Sequence, residues 1–244
     1  MTSRPRLHFL GTGTPIGLRG LHQACFLLET GNQKLLLDCG MTALASLGRA
    51  GIDPGEIDAV VISHLHGDHF GGLAPLMLDA TLRRRDAPLT IAGPAQTRER
   101  VAIALGIFGW TTARMDAATF VVLEPGLVRR VADCEVTAFA VPHNPATSPT
   151  GLRISINGVT IGYSGDAGWS PALLDVARDA DLFICAVWSL DTADPTFLDL
   201  ATLVRKQSEL ECRRMVLTHL GPEVLEKVEA LPFEVVTDGS IIQL

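Results

Sequence analysis

Six consecutive positions, His64-Leu65-His66-Gly67-Asp68-His69, hold three imidazoles and one carboxylate. Neutral imidazole and carboxylate are ligands for zinc and its borderline neighbours, and no cysteine lies close enough in the run to compete. The spacing carries more than the count. In an extended or turning segment His64 and His66 point the same way and Asp68 follows, while His69 breaks the alternation and can face a second centre. The run follows Ala59-Val60-Val61-Ile62-Ser63, a buried-strand pattern, and precedes Gly71-Gly72-Leu73, where a helix begins. A strand end opening into a loop is a rigid mount for ligands.

One loop cannot complete a two-metal site. Three other residues stand just past strand patterns: His143 after Val136–Val141, Asp166 after Ile161–Ser164, and His219 after Met215–Thr218. Strand ends gathered at one edge would make a shared cleft. His8 and His22 lack such a setting and read as solvated or capping side chains.

The elements that must position these residues alternate between hairpins and helices. Strands are expected at Leu7–Leu10, Ala24–Glu29, Lys34–Asp38, Asp58–Ser63, Leu89–Ala92, Phe120–Leu123 and Leu127–Val131. Others follow at Glu135–Val141, Leu152–Ile156, Val159–Tyr163, Leu182–Val187, Met215–Thr218, Phe233–Val236 and Ile241-Ile242. Gly31-Asn32 and Asn157-Gly158 are hairpin turns. Helices are expected over Met41–Ala50, Leu73–Arg85, Ala95–Phe108, Pro171–Arg178, Pro195–Leu210 and Pro222–Ala230. Two mixed sheets packed together with helices outside satisfy this order.

Composition sets bounds. The 244 residues are 47% hydrophobic, enough for a sizeable core, and suit one α/β domain spanning 1–244. No apolar run is long enough to cross a bilayer, and the apolar stretch near the N-terminus is too short for a signal-peptide core, so a cytoplasmic location and no membrane partner are expected. The net charge of −7 argues against a polyanion track, which needs a basic face. The five cysteines form no Cys-x-x-Cys pattern and read as buried thiols.

Taken together, the four segments resemble the metallo-β-lactamase superfamily of binuclear metallohydrolases. Its His-x-His-x-Asp-His signature matches residues 64–69, and its later His, Asp and His match His143, Asp166 and His219. The resemblance implies an αββα sandwich with the site at one edge. It implies that His64, His66 and His143 hold one metal, that Asp68, His69 and His219 hold the other, and that Asp166 bridges them. Two divalent ions would be the cofactors, zinc in first place with manganese or iron as alternatives, and Asp68 and Asp166 would serve catalysis directly.

Within the superfamily the chain is most similar to the ribonuclease Z and phosphodiesterase branch, through Leu10-Gly11-Thr12-Gly13, Gly67 and Ser164-Gly165-Asp166. Two departures stand out. Ribonuclease Z carries a long tRNA-gripping arm between its third and fourth motifs, whereas His143 and Asp166 are only 23 positions apart and strands fill the interval. Ribonuclease Z also has a His-Glu-Ala-Thr motif where this chain reads Cys185-Ala186-Val187-Trp188. The implied activity is therefore hydrolysis of a phosphodiester in a small or cyclic nucleotide-like substrate, with ester, lactone or thioester hydrolysis as the alternative. Nucleic acid is disfavoured as a partner, and tRNA 3′ processing or a non-catalytic metal-binding role ranks lower. A redox di-iron site is disfavoured because such sites tend to carry glutamate where this chain has His66. The chain is compatible with a homodimer. Asn144, Ser164 and the Gly13-Thr14 loop lie near the ligand segments as candidate substrate contacts, and Trp188 as a candidate pocket wall.

Overall fold

The computed structural model describes residues 4–192 and 194–244. Its first half contributes β1 (Arg6–Gly11), β2 (Cys25–Glu29), β3 (Lys34–Leu37), β4 (Ala59–Val61), β5 (Thr90–Gly93) and β6 (Thr119–Val122). The second half contributes β7 (Val128–Val131), β8 (Cys134–Ala140), β9 (Thr150–Ile156), β10 (Val159–Tyr163), β11 (Leu182–Ala186), β12 (Met215–Thr218), β13 (Glu234–Val235) and β14 (Ile241–Gln243). The helices are α1 (Ala43–Arg49), α2 (Gly67–Phe70), α3 (Leu73–Leu82), α4 (Thr97–Ile107), α5 (Pro171–Ala177), α6 (Leu200–Lys206) and α7 (Pro222–Glu226).

Two seven-stranded sheets result, ordered β14-β1-β2-β3-β4-β5-β6 and β13-β12-β11-β10-β9-β8-β7. Both are mixed in the same way. Antiparallel pairs run from β14 to β3 and parallel pairs from β3 to β6, and the second sheet repeats the pattern from β7 through β10 to β13.

Side-chain alternation explains the layers. In β3, Leu35 and Leu37 face inward and join Phe9, Phe26, Val61, Ile154, Tyr163 and Ile184 in the core between the sheets. Leu36 faces outward, where it packs with Val60, Ile62, Leu47, Leu73, Met77 and Val101 beneath α1, α3 and α4. On the second sheet, Phe183, Cys185 and Leu217 face outward against Leu173, Val176, Leu203 and Val224 from α5, α6 and α7. A strand buried on both faces reads as a continuous apolar run, which is why Leu35-Leu36-Leu37 shows no polar alternation. The architecture is the expected αββα sandwich of two mixed sheets. All five cysteines are free, and four of them are buried. Among the described residues no helix is long and apolar enough to cross a membrane.

The clearest departure from the sequence reading is a helix of the second half. The helix expected over Pro195–Leu210 begins only at Leu200, with Asp199 as its cap, accepting from the Thr202 amide at 2.8 Å. Asp194, five residues earlier, offers a competing start signal but closes a local turn instead, accepting from the Thr196 amide at 2.9 Å and its hydroxyl at 2.7 Å. Residues 194–199 are consequently loop, and that loop reaches the site described next.

Candidate metal centre

Five segments meet at one edge of the sandwich. They follow the C-terminal ends of β3, β4, β8, β10 and β12. The β4 segment turns at His66 into α2, a single helical turn that swings Asp68 and His69 beneath the preceding histidines. Cross-links fix the segment. The Leu65 amide donates to Thr147 O at 2.9 Å, and the Thr150 amide and hydroxyl donate to Ser63 O at 3.1 and 2.7 Å. The Cys39 amide donates to His69 O at 2.6 Å.

The other ligand candidates come from single turns. Gly165, at φ 58°, lets the chain bend between Ser164 and Asp166, and a Cβ there would sit 2.7 Å from Thr150 O. His219 holds the uncommon φ of 52°, and its amide donates to Thr12 O at 2.9 Å, which ties the Gly11–Thr14 loop to this edge.

The side chains form two groups. His64, His66, His143 and Asp166 make one, and Asp68, His69 and His219 make the other; within each, the donor atoms lie within 4.8 Å of one another. His66 Nδ1 is 3.0 Å from His64 Nε2 and 3.1 Å from His143 Nε2. In the second group His69 Nε2 and His219 Nε2 stand 3.4 and 3.6 Å from Asp68 Oδ2. Asp166 touches both groups. Its Oδ2 is 4.0 Å from His64 Nε2, 3.9 Å from His143 Nε2 and 3.4 Å from His219 Nε2, and its Oδ1 is 3.5 Å from His69 Nε2.

These residues fit divalent ions on two counts. Ligands at 2.0–2.1 Å around a tetrahedral ion stand about 3.3 Å apart, close to the spacings seen. Moreover, Asp68 Oδ2, His69 Nε2, Asp166 Oδ1 and His219 Nε2 are buried without a hydrogen-bond partner. Buried polar atoms are rarely left so, and a cation would satisfy all four.

The electrostatics agree at three of the histidines, whereas Asp166 and Asp38 raise His69 against its burial. Burial, reinforced by His69, pushes the His64 imidazole well below its ordinary pKa; burial also lowers those of His66 and His219. They are thereby kept in the neutral form that metals require. Burial alone would raise the carboxyl of Asp68, but His69 and His219 hold it below the usual range. Asp166 is held well below against its burial by His219, His69 and His64.

Asp38 is a residue that sequence spacing missed. It reads as the last position of a strand, yet it sits fully buried at φ 57° with its carboxylate against His69. His69 Nδ1 donates to its Oδ2 at 2.7 Å, which leaves Nε2 for the ligand group. A second unforeseen contact is made by the 194–199 loop. His143 Nδ1 donates to Thr196 O at 3.0 Å, and the Phe197 ring meets the His143 ring edge-on at a centroid distance of 5.0 Å. Half-buried Trp188 stacks on Phe197 at 5.3 Å and lies 6.4 Å from the His219 ring.

Several candidates fall elsewhere. Ser164 is buried, and its hydroxyl bridges Gly165 O and the Ala186 amide. Asn144 caps a short turn through the Ala146 amide. His22 contacts Ser46 and Arg49, and neither it nor His8 belongs to a ligand group.

The sequence profile of the family described as Anti-Pycsar protein Apyc1 matches residues 5–237. The chain belongs to that family. Ribonuclease Z of Methanosarcina acetivorans is 27% identical over 279 residues, covering 93% of this chain and 90% of that protein. The crystal structure of the metallo-beta-lactamase fold protein YhfI from Bacillus subtilis superposes with a TM-score of 0.78 at 20% identity, covering 98% of this chain and 99% of that one. A diphosphatase from the PhnP family superposes at 0.80 with 19% identity, covering 99% and 98%. This Apyc1-family chain is thus a metallo-β-lactamase-fold protein on the ribonuclease Z-like side of the superfamily.

Proposed function

We propose that the protein is a binuclear metal-dependent hydrolase, the whole chain forming one catalytic unit, and that its substrate is a small or cyclic nucleotide-like phosphodiester. The observation that carries the reading is the position of Asp166, a single buried carboxylate within 4.0 Å of histidines from both ligand groups. His64, His66 and His143 would hold one ion, Asp68, His69 and His219 the other, with Asp166 shared. Zinc suits a set of imidazoles and carboxylates without thiolate, and manganese or iron could take the same donors. When bound, such ions supply an activated water at neutral pH and neutralise charge on the phosphoryl oxygens.

The chain's own groups do the rest. Asp68 Oδ2 accepts no hydrogen bond from the protein and faces His69 and His219, so it is placed to orient the attacking water. Trp188 and Phe197 shield the His143 and His219 side of the centre from solvent.

A cleft of about 540 Å³ lies beside the His143 segment, lined by Pro94, Val122, Leu123, Pro125 and Pro142 among others, and among the described residues no lysine or arginine lines it. That lining suits a compact substrate with an apolar or heterocyclic part better than a polynucleotide track. The names ribonuclease Z and diphosphatase among the relatives and structural neighbours support phosphate chemistry. The test is a panel of bis-p-nitrophenyl phosphate, 3′,5′-cyclic nucleotides and acyl esters with metal-loaded protein. Turnover of the phosphodiesters is expected. Brisk ester cleavage with no phosphodiester turnover would overturn the substrate class.

A further inference from the structure

Ser63 stands between Asp38 and His64, and proton counting gives it a role. Four donors converge on the fully buried Asp38 carboxylate. Its Oδ1 accepts from the Ser63 amide at 2.7 Å, and its Oδ2 accepts from the Ser63 hydroxyl at 2.8 Å, from His69 Nδ1 at 2.7 Å and from the Tyr163 hydroxyl at 2.8 Å. An ionised carboxylate only accepts, so the single hydroxyl proton of Ser63 is committed to Asp38. Ser63 Oγ also lies 3.1 Å from His64 Nδ1. With its proton already given away, the oxygen can only accept there. His64 Nδ1 must carry the ring proton, and Nε2 keeps its lone pair. Nε2 is the nitrogen that faces His66 Nδ1 at 3.0 Å.

We infer that Ser63 is a positioning residue whose hydroxyl relays the Asp38 carboxylate to His64. One buried carboxylate thereby sets the ring protonation of a histidine in each ligand group, His69 directly and His64 at one remove. The inference rests on the metal-centre reading above. The relay is separable from the backbone at Ser63, which is anchored independently: its amide bonds Asp38 Oδ1, and its carbonyl accepts from Thr150. Removing the hydroxyl therefore leaves the strand end held. It strips the acceptor from His64 Nδ1, so the ring proton is free to move to Nε2 and block the ligand nitrogen.

The experiment compares wild type, Ser63→Ala, Ser63→Thr and Asp38→Asn. Metal-free protein is titrated with Zn²⁺ by calorimetry, and histidine tautomers are read by ¹⁵N NMR before zinc is added. Wild type is expected to bind two ions and to show His64 protonated at Nδ1. Ser63→Ala should weaken one of the two binding steps by about 10-fold or more and shift His64 toward Nε2 protonation. Ser63→Thr, which keeps the hydroxyl, should restore both, and Asp38→Asn should weaken both steps. The relay is overturned if Ser63→Ala binds both ions like wild type, if the Ala and Thr variants lose affinity equally, or if wild-type His64 is protonated at Nε2. Failure of wild type to bind zinc would instead refute the metal centre, and the tautomer measurement would still decide the relay.

Discussion

The two halves of the molecule repeat one sheet pattern but supply their ligand candidates differently. The first half offers four in six consecutive residues after β4, folded by the single turn of α2. The second half offers His143, Asp166 and His219, one each after β8, β10 and β12. A contiguous run is a local device, in which backbone geometry sets most of the relative positions of the side chains and neighbouring segments hold the run in place. Dispersed ligands depend on the packing of three strands and on buttresses such as the contacts of Thr196 and Phe197 with His143. The dispersed half nevertheless holds the carboxylate that lies against histidines of both groups.

That contrast is most open to attack at Asp166. Asp166→Ala is expected to take hydrolysis to background, a larger loss than the roughly 10–100-fold typical of removing an outer hydrogen-bond partner. Circular dichroism should show the fold retained. Unchanged turnover would show that the two groups act independently.

Asp38→Asn comes next. Asparagine tolerates the left-handed backbone of that position, so the change tests charge and hydrogen bonding rather than strain. Metal affinity should fall by about 10–100-fold, read by competition with a chelating dye. The loss is expected in the contiguous half, although nothing in the run itself is altered.

Phe197→Ala probes the buttress of the dispersed half. An aromatic pair is worth about 1 kcal/mol beyond its buried area, which corresponds to about a fivefold change. Metal affinity or KM should shift by about that factor. An effect as large as that of Asp38→Asn would mean that the loop holds a ligand group together rather than merely supporting it.

The smallest effect is expected from pH on metal-free protein. His64, His66 and His219 have folded pKa values below the 6.5 of an unfolded chain, first because of burial. Below pH 6.5 the unfolded state takes up protons that these folded imidazoles refuse, so their contribution to stability is full above that pH and is lost as pH falls below it. His69 opposes the trend: burial would lower its pKa, but Asp166 and Asp38 raise it well above 6.5, so its contribution is present at low pH and lost as pH rises through its folded value. Melting temperatures of metal-free protein from pH 8 to 5 should fall modestly, and a rise would show that His69 dominates.

The legibility of the sequence follows the same division. Residues 64–69 announce themselves by type and spacing, and the strands beneath them by apolar runs. His143, Asp166 and His219 are visible as residues just past strand patterns and by resemblance, while their convergence is a property of sheet order. Asp38 was hidden because nothing local separates a strand-ending aspartate from one aimed at a histidine on a neighbouring segment. The 194–199 loop was hidden because Asp194-Pro195 and Asp199 both signal a helix start. Only the turn closed by Asp194 and the contacts with His143 decide for the second.

The central claim is that one carboxylate unites two metal positions. An anomalous difference map from crystals of zinc-loaded protein tests it most directly. Two peaks per chain are predicted, one among His64, His66 and His143 and one among Asp68, His69 and His219, with Asp166 contacting both. A single peak, or two peaks that do not share Asp166, would contradict the account.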